Sequence, residues 1–389
     1  MLVRMPAVDV RKPTPLLGEL SPSSFMRRHW QKRPLLVRRA AVDAMPGFTP
    51  ATLFALAASD GVESRLVRRQ GSDWFLRRGP LRRRSLPPLD RRGWSVLVQG
   101  VDLHDARARA LLDRFRFVPD ARLDDVMVSF ASDGGGVGPH VDSYDVFLLQ
   151  LAGRRRWRIA KPAPRSLRDG VPLALLARFR AEETWTLDAG DMLYLPPGWA
   201  HEGTAVGACL TASIGFRAPT QAELGAELVQ RLADGRDPRA PAPRYRDPRQ
   251  PASATPARIP PALSAFAGEA VRRLANDRGL RAEALGTWLS EPKADTWFDA
   301  KPGAHVGQGD SVRLDRRTRL LYDGQALYAN GEAVAVGGRD ARVLRRLADR
   351  RVLDAAAVAA LGAETRALID GWCEAGWLHV GVVENADLA

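Results

Sequence analysis

The stretch Gly134-Gly135-Gly136-Val137-Gly138-Pro139-His140-Val141-Asp142 decides how the rest of the chain is read. In an extended segment residues i and i+2 point to one side, so His140 and Asp142 project together as an imidazole and a carboxylate. The glycines ahead of them let the backbone approach closely and leave room for small molecules. A His-x-Asp pair alone is a weak signal, because most such pairs are surface polar residues. A third ligand has to come from a second strand. The candidate is His201, in Leu193-Tyr194-Leu195-Pro196-Pro197-Gly198-Trp199-Ala200-His201, where Pro-Pro-Gly bends the chain and turns the imidazole inward. His29, His104, His305 and His379 lack such a setting and read as ordinary surface or core residues. Two imidazoles and one carboxylate on one face of an octahedral ion leave three positions open, which suits non-haem Fe(II) activating O₂. His140, Asp142 and His201 are the expected metal ligands.

On either side of this stretch, short β-branched or aromatic runs are separated by Gly, Pro and Asp. They fall at residues 64–67, 73–76, 94–99, 125–130, 146–151, 155–159, 184–187, 192–195 and 210–216. Many short strands with turn signals between them predict an antiparallel sandwich or barrel, interrupted by one helix over 105–116. Within Arg154-Arg155-Arg156-Trp157-Arg158, alternation puts Arg155 with Trp157 on one face and the other three arginines on the opposite one. The face bearing Trp157 is expected to be the interior. An inward Arg155 could hold a dicarboxylate's distal carboxylate in a bidentate fork. If all four arginines face solvent, this anchor does not exist. On the strand after His201, Thr211 and Ser213 alternate into one face and could add a hydroxyl, or be satisfied within the core.

Further out, Phe25 to Trp30 has helical spacing that gives way at Pro34 to a strand-like run, and Thr49-Pro50 opens a second helix. Beyond Ala218-Pro219-Thr220 a helix is expected over 221–232, followed by a Pro/Arg-rich linker or wrapping segment over 234–261. Helical periodicity resumes over 263–288, where Phe266, Val271, Leu274, Leu280 and Leu285 could form an apolar stripe. Strand-like runs over 311–336 turn at Asp323-Gly324. Three short helices near 341–348, 355–361 and 364–375 and a closing strand over 377–380 follow. Strands with three helices at this size look like a winged helix.

At 389 residues the chain has room for two or three domains. Apolar content of 45% and charged content of 26% suit an ordinary globular protein and exclude wholesale disorder. The net charge of +13 points to an acidic partner such as RNA, DNA or a ribosome. Against that, nearly all of the basic residues are Arg and lie among abundant Ala, as a GC-rich genome alone would produce. Two distant cysteines, Cys209 and Cys373, exclude a disulfide framework and a thiolate zinc site. The N-terminal residues lack the apolar core of a signal peptide, and no apolar run approaches the roughly 20 residues of a bilayer span. The expectation is a cytoplasmic protein without a membrane partner.

The sequence also resembles the bacterial JmjC ribosomal oxygenases of the cupin superfamily, which hydroxylate an arginine in a protein of the large ribosomal subunit. The similar stretches are Gly134 to Asp142, Tyr144-Asp145-Val146-Phe147, Gly153 to Trp157, Tyr194 to Gly203, Trp94 to Gln99, Gly215 to Pro219 and Tyr245-Arg246-Asp247-Pro248. The likeness runs from about Leu20 to the C-terminus. It implies His140, Asp142 and His201 as iron ligands, and Arg155 as the partner of 2-oxoglutarate. Thr211 departs from the pattern, which suggests an amide there.

The resemblance further implies a mainly β plus α fold: a double-stranded β-helix, or jelly roll, a helical dimerisation region and a C-terminal winged helix. The boundaries expected are 1–219 for the oxygenase domain (core about 94–217), 220–304 for the helical region and 305–389 for the winged helix. Fe(II), 2-oxoglutarate and O₂ are the expected cofactor and co-substrates, with succinate and CO₂ released. The expected partners are a ribosomal protein of the large subunit and a second copy of the chain. Direct nucleic-acid binding is compatible with the charge but not required. The rival readings are a JmjC lysine demethylase and a metal-binding cupin or winged-helix regulator without oxygenase activity.

Overall fold

Ten strands form one mixed-length antiparallel system around which the N-terminal helices wrap, as seen in a computed structural model that describes residues 9–161, 166–235, 243–248 and 257–381. In chain order the first half runs α1 Pro22–Arg28, β1 Leu35–Val37, α2 Pro50–Ala58, β2 Ser64–Gln70, β3 Asp73–Arg78, β4 Trp94–Val98 and α3 Ala106–Asp113. It continues with β5 Leu123–Ala131, β6 His140–Val141, β7 Val146–Ala160, β8 Glu183–Leu187, β9 Met192–Leu195 and β10 Ala200–Phe216. The hydrogen-bonded order is β1-β9-β7-β10-β5-β4-β2-β3, with β6 on β10 and β8 on β7. This is the jelly roll of the cupin class, and its strand order ends at β1 on one side and β3 on the other.

Local chemistry accounts for the helix starts. Ser21 and Thr49 accept from the backbone N–H three residues on, at 3.2 and 3.3 Å, and each is followed by proline at the first helical position. Asp105 caps α3 by accepting from Arg107 N and Ala108 N. Alternation then sorts the strands. On β7, Phe147 and Leu149 face the large core with Phe25, Phe115, Tyr194 and Phe216, while Val146 and Leu148 face a second cluster with Trp157, Ile159, Leu187 and Leu193. That second cluster is the barrel interior.

The strands expected over 146–151 and 155–159 prove to be one, and the strand expected over 210–216 begins ten residues earlier, at Ala200. β7 is continuous over fifteen residues and β10 over seventeen, paired to each other along most of their length. Register shifts between Val206 and Thr211 bend them, so a short-strand signature arises from one folded-over ribbon. His201 and Thr211 therefore stand on the same strand.

The second half holds α4 Gln221–Asp234, α5 Pro261–Asn276 and α6 Arg278–Ser290, then β11 Val312–Leu314, β12 Leu320–Tyr322, β13 Leu327–Ala329, β14 Glu332–Val334, α7 Gly338–Arg350, β15 Val352–Leu353, α8 Ala355–Ala359, α9 Ala363–Glu374 and β16 Leu378–Val380. α4 opens with a capping box in which Thr220 and Glu223 satisfy each other's backbone N–H groups. Much of the segment 234–261 lies outside the described residues. The helical run expected over 263–288 is two helices. Asp277 takes an extended conformation and caps α6 by accepting from Leu280 N at 3.0 Å, which breaks the run. The stripe is thereby divided, with Phe266, Val271 and Leu274 on α5 and Leu280 and Leu285 on α6. The C-terminal unit has its own core, including Val312, Leu344, Leu347, Ile369 and Trp372, between two three-stranded sheets and α7–α9. It is the winged helix. Lys293, just past α6, ties the two halves together through Asp124 at 3.0 Å and Asp125 at 2.9 Å.

Candidate metal centre

His140 enters from β6, which pairs with β10 so that His140 lies directly opposite His201. Their ring centroids are 4.2 Å apart. Asp142 follows at the end of β6, with its carboxylate 3.9 Å from His140 Nε2 and 3.5 Å from His201 Nε2. One donor atom from each of the three lies within 4.8 Å of the others. Donors at such separations can share one ion at ordinary bond lengths of about 2.1 Å.

The tautomers are arranged for this. His140 Nδ1 sits 2.9 Å from Gly138 O and His201 Nδ1 sits 3.0 Å from Trp199 O. A carbonyl can only accept, so both Nδ1 atoms carry the proton and both Nε2 lone pairs face the centre. His201 is buried, and burial together with the neighbouring His140 pushes its pKa down to about 4. At neutral pH that imidazole is uncharged and free to ligate.

Arg155 is 4% exposed, whereas Arg154 and Arg156 on the same strand are exposed. Its Nη1 donates to Ser129 Oγ at 3.1 Å and Thr211 Oγ1 at 3.2 Å, and its guanidinium lies 5.1 Å from the centroid of the Trp157 ring. The same indole is 5.9 Å from the His201 ring, so Trp157 spans the interval between cation and metal ligands. Among the described residues Arg155 has only hydroxyl and carbonyl partners and no carboxylate, and its buried Nε has no acceptor. Burial lowers its pKa. A buried cation without a paired carboxylate is expensive, and an anion bound beside it would offset that cost. Gly203, opposite Trp157 on β10, makes the room: a Cβ there would come within 2.7 Å of both Arg155 Nε and the indole.

Thr211 is buried and bridges Arg155 to Gln150, donating to Gln150 Oε1 at 3.0 Å. An amide thus stands beside Thr211, supplied by the neighbouring strand. Ser213 shares that face and is 9% exposed, without a described hydrogen-bond partner for its hydroxyl. Sequence reading passed over Ser129 and Gln150. Ser129 is a polar residue in the apolar run Val126-Met127-Val128-Ser129-Phe130, which was the available signal. Gln150 carried one too, between Leu149 and Leu151. At the mouth, Tyr144 is 39% exposed, and burial together with Asp142, Asp125 and Asp124 raises its phenol above the ordinary value. The other histidines stand apart: His29 bonds Pro34 O, and His379 pairs with Asp315 in the winged helix.

A β-barrel that gathers two imidazoles, a carboxylate and an isolated buried guanidinium is the architecture of a metal- and oxo-acid-dependent oxygenase. The chain matches the JmjC domain family over residues 110–224 and the ROXA-like winged helix over residues 273–379. It is 36% identical over 326 residues to the ribosomal protein uL16 3-hydroxylase of Escherichia coli, covering 80% of this chain and 84% of that one. The crystal structure of E. coli ycfD superposes with a TM-score of 0.83 at 31% identity, over 93% of this chain and 98% of that chain. A structure of the same ribosomal oxygenase in complex with cobalt and 2-oxoglutarate gives a TM-score of 0.78 at 30% identity, with the same coverage. The chain belongs to the JmjC ribosomal oxygenases, a family of 2-oxoglutarate-dependent enzymes.

Proposed function

We propose that this protein hydroxylates an arginine side chain of a large-subunit ribosomal protein, with His140, Asp142 and His201 holding Fe(II) and Arg155 holding 2-oxoglutarate. Bound iron with 2-oxoglutarate and O₂ supplies the oxidative chemistry, yielding succinate, CO₂ and one oxygen atom for the substrate. The observation that carries the reading is Arg155, a buried cation with no carboxylate partner among the described residues, one indole away from the convergent His140, Asp142 and His201. A dicarboxylate whose distal end meets that guanidinium would direct its oxo-acid end toward them. Ser129 and Thr211 orient the guanidinium, and Gly203 keeps the space open. Ser213 lines the same wall.

The name of the E. coli relative supports a ribosomal-protein substrate, which in turn would be met in the cytoplasm. We further infer a homodimer formed through the helical region 220–304, because Val229, Leu263, Phe266, Val271 and Leu285 remain exposed on α4–α6. Among the described residues no helix is long and apolar enough to cross a membrane.

The test is to incubate large-subunit ribosomal proteins with the enzyme, Fe(II) and 2-oxoglutarate and to measure intact masses. A gain of one oxygen on one protein, mapped to an arginine by fragmentation and accompanied by succinate, is expected. Loss of a methyl-sized mass would mean a demethylase. Absence of succinate release under every condition would mean a regulator that only binds ligand.

A further inference from the structure

Between Ser64 and Gly93 the chain places ten arginines against two acids, Asp73 and Asp90. Eight of the thirteen net positive charges of the whole protein thus lie in one short segment. Arginine-rich composition spread evenly along the chain would not produce this. The segment comprises the β2–β3 hairpin and the loop leading to β4. β3 is the end of the sheet order, so one of its edges is unpaired.

Register divides the hairpin's two faces. Arg65 pairs with Arg78 and Arg69 with Trp74, while Arg68 pairs with Phe75 and Leu66 with Arg77. Among the described residues, Arg92 is the one arginine of this segment with an acidic partner, Asp133 at 2.9 Å. Arg65 is half-buried and donates to Gln99 Oε1, Arg68 is half-buried, and Arg69, Arg77, Arg78, Arg82, Arg83, Arg84 and Arg91 are exposed. Phe75 is 44% exposed, with the Arg68 guanidinium 5.3 Å from its ring centroid. Unpaired arginines interleaved with an exposed aromatic ring are what a phosphodiester backbone with stackable bases calls for.

The hairpin also adjoins the metal centre. Trp74 packs against Gly138, where a Cβ would come within 2.9 Å of the indole, and Arg92 lies beside Gly134. The segment carrying His140 therefore runs along the base of the arginine-rich surface.

We propose that the β2–β3 hairpin and the loop after it are a docking surface for RNA, holding the phosphate backbone beside the mouth of the metal site. Arg77 and Arg78 engage phosphates along the free edge of β3, Arg68 does so from the neighbouring β2, and Phe75 stacks a base. The surface is independent of the iron chemistry proposed above, so its test reads binding and not turnover. A labelled single-stranded RNA of about 20 nucleotides is titrated with the full chain, and anisotropy is followed over a range of salt concentrations. The combined substitution Arg68→Glu, Arg77→Glu and Arg78→Glu should weaken binding at least about tenfold and lower the salt-dependence slope by about 2. The same number of charge reversals on the exposed face of α7, at Arg339, Arg342 and Arg350, should leave binding within about twofold. Circular dichroism and thermal melting establish that each variant is folded, and Phe75→Ala, which alters no charge, should weaken binding without changing the slope. Undiminished affinity in the hairpin variant, or an equal loss in the α7 variant, overturns the proposal. Competition by polyglutamate at the same charge concentration as effective as by unlabelled RNA also overturns it, since the surface would then select acidic peptides.

Discussion

At Arg155 and Arg156 adjacent residues of one type meet opposite fates, because a strand turns successive side chains to opposite faces. Losing the charge-assisted pair that Arg155 would make, about 1.5–3 kcal/mol, should raise the KM for 2-oxoglutarate at least about tenfold in Arg155→Ala. Arg156→Ala should change it little. Steady-state kinetics decides, and equal effects would remove Arg155 from the co-substrate site. His140→Ala and Asp142→Ala should each abolish 2-oxoglutarate turnover while circular dichroism remains native, since each removes one of three protein donors. Robust turnover with full iron content in both variants would refute the triad. Both metal-side histidines and Arg155 were legible from sequence because Gly/Pro turns and alternation are local signals. Ser129 and Gln150 were not singled out, because their importance lies in what crosses to them from β7 and β10.

Among the elements, the helices past the barrel are the least settled by their own packing. α5 has no buried residue, although Phe266, Val271 and Leu274 give it an apolar face. Apolar area left in water on one helix face is what association would cover. Light scattering at micromolar concentration should give twice the mass of one chain, and Val271→Asp with Leu274→Asp should shift it to the monomer. A monomeric wild type, or an unchanged dimer in the double variant, would reject this interface. Helical periodicity found these helices but ran through Asp277, whose capping role competes with helix continuation only when the chain can turn there. Likewise, the short-strand pattern split β7 in two and missed the first half of β10, since a bulged strand reads locally as short pieces.

For the molecule as a whole, the junction between barrel and winged helix carries a buried carboxylate. Burial and the nearby Asp125 push the pKa of Asp102 up to about 6, and its Oδ1 accepts from Val126 N at 2.8 Å. A carboxyl that is harder to ionise in the folded state holds its proton after the unfolded chain has released it. Folding stability from this group therefore falls as pH rises from about 4 to about 6 and stays low above. Asp102→Asn keeps the acceptor and removes the ionisation. Urea unfolding should find the variant more stable than wild type at pH 7 by on the order of 1–3 kcal/mol, with the gap closing toward pH 4. A constant gap across that range would show that Asp102 does not titrate as its surroundings require. Local pattern by itself pointed to the strand-rich barrel, the winged helix, the convergence of His140, Asp142 and His201 and the inward side chain of Arg155, because each follows from short-range periodicity or turn chemistry. Only tertiary structure decided that Arg155 has no carboxylate partner among the described residues, that Gly203 leaves space beside it, that the arginine-rich hairpin adjoins His140 and that Asp102 is buried beside Asp125. These depend on which distant segments meet, and the cost or benefit of a charge is set by that company.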